Sequence, residues 1–180
     1  MRAGIEVEHV LSGVRTTMSD PEISVVIPAL NERESLPQLH KELTEVLSQL
    51  GRRYEIVIVD DGSTDGTTEV CREMAARDPN LTHIELRRRF GKAMALQAGF
   101  RAVRGEVIFT MDADLQDDPR EIPRFLEMLD RDYDVVSGWK ENRKDPVGKT
   151  LPSKLFNYVT SRLSGLRLRD FNCGFKAYRR

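Results

Sequence analysis

Asp112, Asp114 and Gln116 stand two residues apart directly after an apolar run, Glu106 to Met111. On an extended backbone, residues two apart share a side, so this spacing presents three oxygen ligands on one edge. Oxygen donors suit a hard divalent ion, Mg²⁺ or Mn²⁺, that keeps further positions for water and phosphate. Asp117 and Asp118 supply the cap of the helix that follows, which leaves Asp112 and Asp114 without a structural task. A second cluster, Asp60-Asp61-Gly62-Ser63-Thr64-Asp65, follows another apolar run. A carboxylate there can accept hydrogen bonds from ribose hydroxyls or a base N–H. The expectation is that Asp60 faces a ligand while Ser63 or Asp65 caps the next helix. The third cluster, Pro28-Ala29-Leu30-Asn31-Glu32, lacks the glycines of a dinucleotide fingerprint, and no GxxxxGK phosphate loop occurs in the chain. NAD enzymes and nucleotide kinases are therefore disfavoured. What remains is a pocket that grips a base and ribose with backbone groups and acids, and handles a diphosphate with a metal.

The elements around these clusters alternate. Ile23 to Ile27 reads as a strand stopped by Pro28. Leu36, Leu39, Leu43, Val46, Leu47 and Leu50 form one helical stripe between Glu34 and Leu50, with Gly51 as its cap. Tyr54 to Val59 is a continuous apolar strand of the kind covered on both faces. A helix ending near Asp78-Pro79, a strand over Leu81 to Leu86, and a helix from Gly91 to Val103 capped by Gly105 follow. A strand from Glu106 to Met111 comes next, then a helix through Leu129 that starts at Asp118-Pro119. This rhythm predicts an α/β fold with right-handed crossovers and a mostly parallel sheet flanked by helices on both faces. Ligands in such sheets bind at the carboxyl ends of the strands. All three polar clusters fall there.

The 180 residues suit one domain with a real core. Residues 1–21 read as a flexible arm and 22–180 as the domain. Glu6, Glu8 and His9 interrupt the start too early for a secretory signal. No apolar run approaches the ~20 residues that cross a bilayer. Cys71 and Cys173 are far apart and read as buried thiols in a reducing compartment rather than a disulfide. Between Lys140 and Arg180 there are eleven Lys and Arg against three acids, so the net charge of −1 hides a basic last quarter behind an acidic body. That asymmetry points to an anionic partner for the C-terminal part. No nucleic-acid partner is expected.

Val25-Val26-Ile27-Pro28-Ala29-Leu30-Asn31-Glu32, Val59-Asp60-Asp61-Gly62-Ser63-Thr64-Asp65, Phe90-Gly91-Lys92 and Asp112-Ala113-Asp114-Leu115-Gln116-Asp117 resemble, in order, the motifs of glycosyltransferase family 2. The resemblance is to its dolichol-phosphate mannosyltransferase-like and bacterial polyprenyl-phosphate branch, and runs from about Ile23 to the last residue. It implies a GT-A fold and an inverting transfer of sugar from a UDP- or GDP-sugar to a polyprenyl or dolichyl phosphate, the alternatives being a saccharide or protein hydroxyl acceptor, or donor binding without transfer. It also implies Mg²⁺ or Mn²⁺ as cofactor and work at the cytoplasmic face of a membrane. Carried over by position, Pro28, Ala29, Leu30, Asn31, Glu32, Asp60 and Asp61 would surround the base and ribose. Gly91, Lys92 and Ala113 would sit by the nucleotide or its phosphates. Asp112 and Asp114 would be the metal pair, with Gln116 a third ligand and Asp117 an acid near the transferred sugar. Lys140, in a segment where many relatives carry Arg, would join Arg143, Lys149 and Ser153 around the acceptor phosphate. Asp170-Phe171-Asn172-Cys173-Gly174-Phe175-Lys176 resembles an element beside the active site.

Such an acceptor makes the basic quarter intelligible. A phosphate oxygen is already an anion and can attack the anomeric carbon without a strong general base, leaving the protein positioning and charge management. Leu155, Phe156, Tyr158 and Val159 read as core packing, with a membrane-surface helix as the alternative. Members of this branch continue past the position of Arg180, so the chain is read as an isolated catalytic domain.

Overall fold

The structure, a computed structural model, describes residues 20–131, 133–138 and 173–180. β1 (Ile23–Ala29) and β2 (Tyr54–Asp60) are buried along nearly their whole length, as expected of strands covered on both faces. α1 (Ser35–Gln49) lies between them in sequence and buries Leu36, Leu39, Leu43 and Leu47, the predicted stripe. Gly51 follows its end with φ +65°, a conformation that suits the chain reversal into β2. α2 (Thr67–Arg77), β3 (Leu81–Glu85), α3 (Lys92–Ala102) and β4 (Val107–Thr110) continue the alternation. A 3₁₀ turn (Pro119–Glu121) then leads into α4 (Ile122–Leu129). As expected, Asp118 caps this start, its carboxylate accepting from the Arg120 N–H at 3.0 Å. β5 (Val135–Ser137) and β6 (Lys176–Arg179) complete one six-stranded sheet of order β3-β2-β1-β4-β6-β5.

The first four strands are parallel, with Ala29 beside Asp60 and Val26 beside both Val57 and Thr110. β6 runs antiparallel to both β4 and β5. The carboxyl ends of β1, β2 and β4 therefore open on the same edge, where the three polar clusters begin.

Alternate residues of the sheet feed two cores. Val25, Ile27, Ile56, Ile58 and Phe109 pack with α1 and α4, whereas Val26, Val57, Val59 and Ile108 pack under α3. α3 approaches closely because it carries Gly99: a Cβ there would lie 2.3 Å from the Val26 side chain. Phe175 stacks on Phe125 with centroids 4.4 Å apart, and both tilt against Phe109. Burying each such ring contributes roughly 1.5–3 kcal/mol, which ties the late segment around Gly174 firmly to α4.

At the opposite end of the sheet the buried Glu55 accepts from Ser24 Oγ at 2.7 Å and from Arg104 N and Nη2 at 2.6 and 3.1 Å. Gly105 is part of this knot and does not cap α3, whose C-cap is Val103. Its N–H donates to Ser24 Oγ, and a Cβ on it would lie 2.6 Å from that oxygen. At the start of the described chain, Pro21 is buried and the Asp20 carbonyl accepts from Arg53. These two residues, assigned to the arm, thus already pack against the domain. Cys71 and Cys173 are both buried, as expected.

Candidate active site

A cleft of ≈ 260 Å³ opens where β1, β2 and β4 end. Pro28, Ala29, Leu30 and Glu32 form one wall, Asp61 and Gly91 the floor between loops, and Asp112, Ala113 and Asp114 the other wall. Lys92 and Arg89 project into it from the turn between β3 and α3. The convergence expected of the three clusters is thus present.

The two neighbouring carboxylates at the end of β2 have separate tasks, and not those assigned from sequence. Asp60 is fully buried; its Oδ1 accepts from the Ser63 N–H at 2.9 Å and its Oδ2 from Thr68 Oγ1 at 2.5 Å. The side chain expected to face a ligand is committed instead to the turn, where both of its oxygens are taken by Ser63 and Thr68. Asp61, buried as well, is the one of the two that lines the cleft. Its two oxygens accept from the N–H groups of Phe90 and Gly91 at 2.7 and 2.8 Å. That bidentate grip fixes the turn ahead of α3, where Gly91 adopts φ +96°. Gly62 allows the same turn to pass, since a Cβ on it would come 2.5 Å from the Arg88 carbonyl carbon. Neither Ser63 nor Asp65 is the N-cap of α2, which is Gly66; Asp65 stands just before it, its Oδ1 accepting from both the N–H and the hydroxyl of Thr67.

Asn31 does not line the cleft. It sits at φ +58° and clasps the two loops together, its N–H donating to Ser63 Oγ and its Oδ1 accepting from the Thr64 N–H, each at 2.9 Å. Asparagine tolerates this left-handed conformation better than most residues.

Asp112 is half-buried, and its Oδ1 lies 2.5 Å from Lys92 Nζ. The Asp61 grip accounts for this pairing, because Lys92 is the first residue of α3 and follows the fixed turn. Asp114 is exposed at the cleft mouth, its Oδ1 accepting from the Gln116 N–H at 3.1 Å. The extended run expected through Gln116 stops short: Leu115 turns left-handed at φ +60°. Alternation therefore breaks after Asp114, and Gln116 is not among the cleft residues. Asp117 is buried and lines neither this cleft nor its neighbour. That neighbour, a cavity of ≈ 250 Å³, shares Pro28, Lys92 and Asp112 and is bounded beyond them by Leu96, Thr110, Gly174, Lys176 and Tyr178. The Lys92–Asp112 pair is the partition between the two.

The donor set is all oxygen, from Asp112 and Asp114, and Asp112 already holds a cationic group, so the residues fit a hard divalent ion. Among the described residues, no three His, Cys, Asp or Glu side chains cluster as ligands. Two carboxylates with water and phosphate completing the shell is the manner of Mg²⁺. Arg89 is the cleft residue that sequence reasoning missed; the run Arg87-Arg88-Arg89 ahead of Phe90 was its signal. Lys140, Arg143, Lys149 and Ser153 lie outside the described residues.

Residues 24–180 match the family described as Glycosyl transferase family 2. The chain belongs to glycosyl transferase family 2. Among family 2 relatives, an undecaprenyl-phosphate 4-deoxy-4-formamido-L-arabinose transferase of Pseudomonas fluorescens (strain SBW25) is 43% identical over 159 residues, 88% of this chain and 47% of that one. The transferase of the same name from Aeromonas hydrophila is 42% identical, over 88% and 49%. The chain spans about half the length of the curated relatives it matches. A mannosyltransferase of Pyrobaculum calidifontis, solved with GDP-Man and Mn²⁺, is 26% identical with TM-score 0.66, covering 89% of this chain and 45% of that one. Glucosyl-3-phosphoglycerate synthase of Mycobacterium tuberculosis, solved with Mn²⁺, UDP and its glucosylated product, shares the fold at 18% identity and TM-score 0.66, over 93% and 63%. The GT-A fold expected of family 2 is the one observed. The family match begins at Ser24 in β1, so it takes in every loop that lines the cleft. No helix among the described residues is long and apolar enough to cross a membrane.

Proposed function

We propose that this chain is the donor-binding catalytic domain of an inverting glycosyltransferase that moves a sugar from a nucleotide-diphosphate sugar to a polyprenyl phosphate at a membrane surface. The observation that carries the reading is the meeting of Asp112, Asp114, Lys92 and Arg89 around one cleft at the carboxyl edge of the sheet. Two carboxylates and two cations there suit a metal-bound diphosphate, and neither pair alone would. Similarity to transferases named for undecaprenyl phosphate supports the lipid acceptor.

Each group then has a task. Pro28, Ala29, Leu30 and Glu32 form the wall for base and ribose, with Asp60, Asn31 and Ser63 holding the two loops in register behind it. Asp112 and Asp114 would hold Mn²⁺ or Mg²⁺, which when bound neutralises the departing diphosphate. Lys92 and Arg89 supply further positive charge from the start of α3 and the turn ahead of it. The Asp61 grip fixes where both cations start, which is preorganisation rather than chemistry. An acceptor phosphate oxygen, being anionic, needs no strong base, and the basic residues Lys140, Arg143 and Lys149, with the Ser153 hydroxyl, are proposed to position it.

Thermal-shift screening of UDP- and GDP-sugars with and without Mn²⁺ tests the donor half. A metal-dependent shift that disappears in Asp114→Ala is expected; an undiminished shift in that variant refutes the metal seat. Incubating the selected donor with a polyprenyl phosphate and, separately, with sugar acceptors tests the other half. Transfer to sugar hydroxyls and none to lipid would refute the acceptor.

A further inference from the structure

Lys92 and Asp112 share the seat that the proposed metal would take, and that coincidence has consequences for the order of binding. The Asp112 carboxylate is bracketed. On one side is the backbone of Gly174, where a Cβ would fall 2.4–2.6 Å from the carboxylate atoms. At Oδ1 stands the Lys92 ammonium, 2.5 Å away. Gly174 cannot withdraw: its carbonyl accepts from Thr110 Oγ1 at 2.8 Å, and Phe175 beside it is stacked on Phe125. Lys92 can. Its backbone is fixed by the turn, but the side chain is 50% exposed and carries a four-carbon stem with rotamer freedom. Arg89 lines the same cleft and forms no ion pair among the described residues.

We propose that Lys92 occupies the metal's place on Asp112 until a diphosphate arrives, so that divalent ion and nucleotide enter together. This rests on the metal-dependent reading given above. A divalent ion entering alone is drawn by Asp114, Glu32 and Asp61, but at Asp112 itself it meets an ammonium already neutralising the carboxylate, and like charges in contact repel strongly. A nucleotide diphosphate reverses the balance. Its oxygens offer Lys92 a new anionic partner, the side chain swings off Asp112, and the vacated carboxylate oxygen becomes a ligand. Lys92 has an anionic partner at both stages, and the charge on Asp112 is not left bare when the cleft is empty. Lys92 is thus a positioning residue whose alternation between two anions couples the two ligands.

Mn²⁺ titration followed by electron paramagnetic resonance of the free ion tests this on the full chain, with no nucleotide, with UDP and with GDP. In Lys92→Met, which keeps the length and removes the charge, Mn²⁺ alone is expected to bind about tenfold tighter than in the wild type. The extra Mn²⁺ affinity conferred by nucleotide should shrink by a similar factor. Lys92→Arg should behave as the wild type does. Arg89→Gln removes a cleft cation without touching Asp112, and should tighten Mn²⁺ far less. Unchanged or weaker Mn²⁺ binding in Lys92→Met overturns the proposal, as does an equal gain in Arg89→Gln, which would reduce the effect to a diffuse field. If the wild type binds Mn²⁺ with nucleotide and Lys92→Met shows no gain, only this inference fails. If no form binds Mn²⁺ even with UDP or GDP, the metal reading fails with it.

Discussion

The Asp112 carboxylate rests directly on Gly174, with room between them for nothing larger than a hydrogen: a Cβ on residue 174 would stand 2.4 Å from Oδ2. A residue from the end of the chain thereby shapes an acid at the end of β4, 62 positions earlier in the sequence.

Gly174→Ala should therefore displace Asp112 and weaken metal-dependent nucleotide binding at least tenfold. Overpacking of this kind costs about 1–3 kcal/mol of stability. Isothermal titration with UDP or GDP and Mn²⁺, beside a urea denaturation curve, separates the two effects. A variant that loses stability but keeps its affinity would show that Asp112 can relocate freely.

Asp61→Ala removes the acceptor for two N–H groups at once. Leaving them without a partner costs roughly 1–3 kcal/mol each when they are shielded from water. Because the turn positions Arg89 and Lys92, nucleotide affinity should fall along with the melting temperature. Asp60→Ala, by contrast, should lower stability through the Ser63 and Thr68 hydrogen bonds and affect nucleotide only through the loops. If the two variants showed the same ratio of affinity loss to stability loss, this division of labour would be wrong.

His83, on β3, has its pKa lowered from 6.5 by burial, which the charges of Asp60 and Glu85 partly oppose. Its Nε2 has no hydrogen-bond partner among the described residues. Below 6.5 the unfolded chain binds a proton that the folded one resists, so folding loses stability as pH falls from above 6.5 toward the lowered value. Melting temperatures of the wild type should drop more steeply between pH 7.5 and 5.5 than those of His83→Gln. Parallel curves would remove His83 as the cause.

Burial first, and then the charges of Asp60 and Asp65, push the Cys71 thiol up to about 12. The nucleophile is the thiolate, so Cys71 should resist iodoacetamide at pH 8 in the folded protein and react fully in denaturant. Peptide mass spectrometry after brief labelling reads this out. Labelling of native Cys71 at the denatured rate would mean that α2 opens readily.

The elements through α4 were legible because each is periodic in its own segment: the Leu36, Leu39, Leu43, Leu47 stripe and the unbroken Tyr54–Val59 run depend on neighbours in sequence. The placement of β6 was not, since four residues of mixed character reveal neither a position between β4 and β5 nor an antiparallel direction. In the site, the location was legible from strand ends, but the orientation of single side chains was not. Asp60 and Asp61 differ by one step of alternation, and a left-handed Leu115 diverts Gln116 in a way that no composition rule anticipates. Gly105 looked like a cap because glycine ends helices, yet its smallness serves the approach to Ser24. Arg89 was overlooked because a run of arginines reads as solvated surface until the turn that holds it is seen.

β6 is late in sequence but interior to the sheet, hydrogen-bonded on both edges. During translation, β1 to β4 can assemble in the order they leave the ribosome, while β4 keeps a bare edge until Lys176–Arg179 emerge. The same few residues deliver Phe175 to the aromatic cluster and Gly174 to Asp112. A nascent chain thus passes through no stage at which this cleft is finished and the sheet beneath it is not, so that occupancy of the cleft would report the assembly of all six strands.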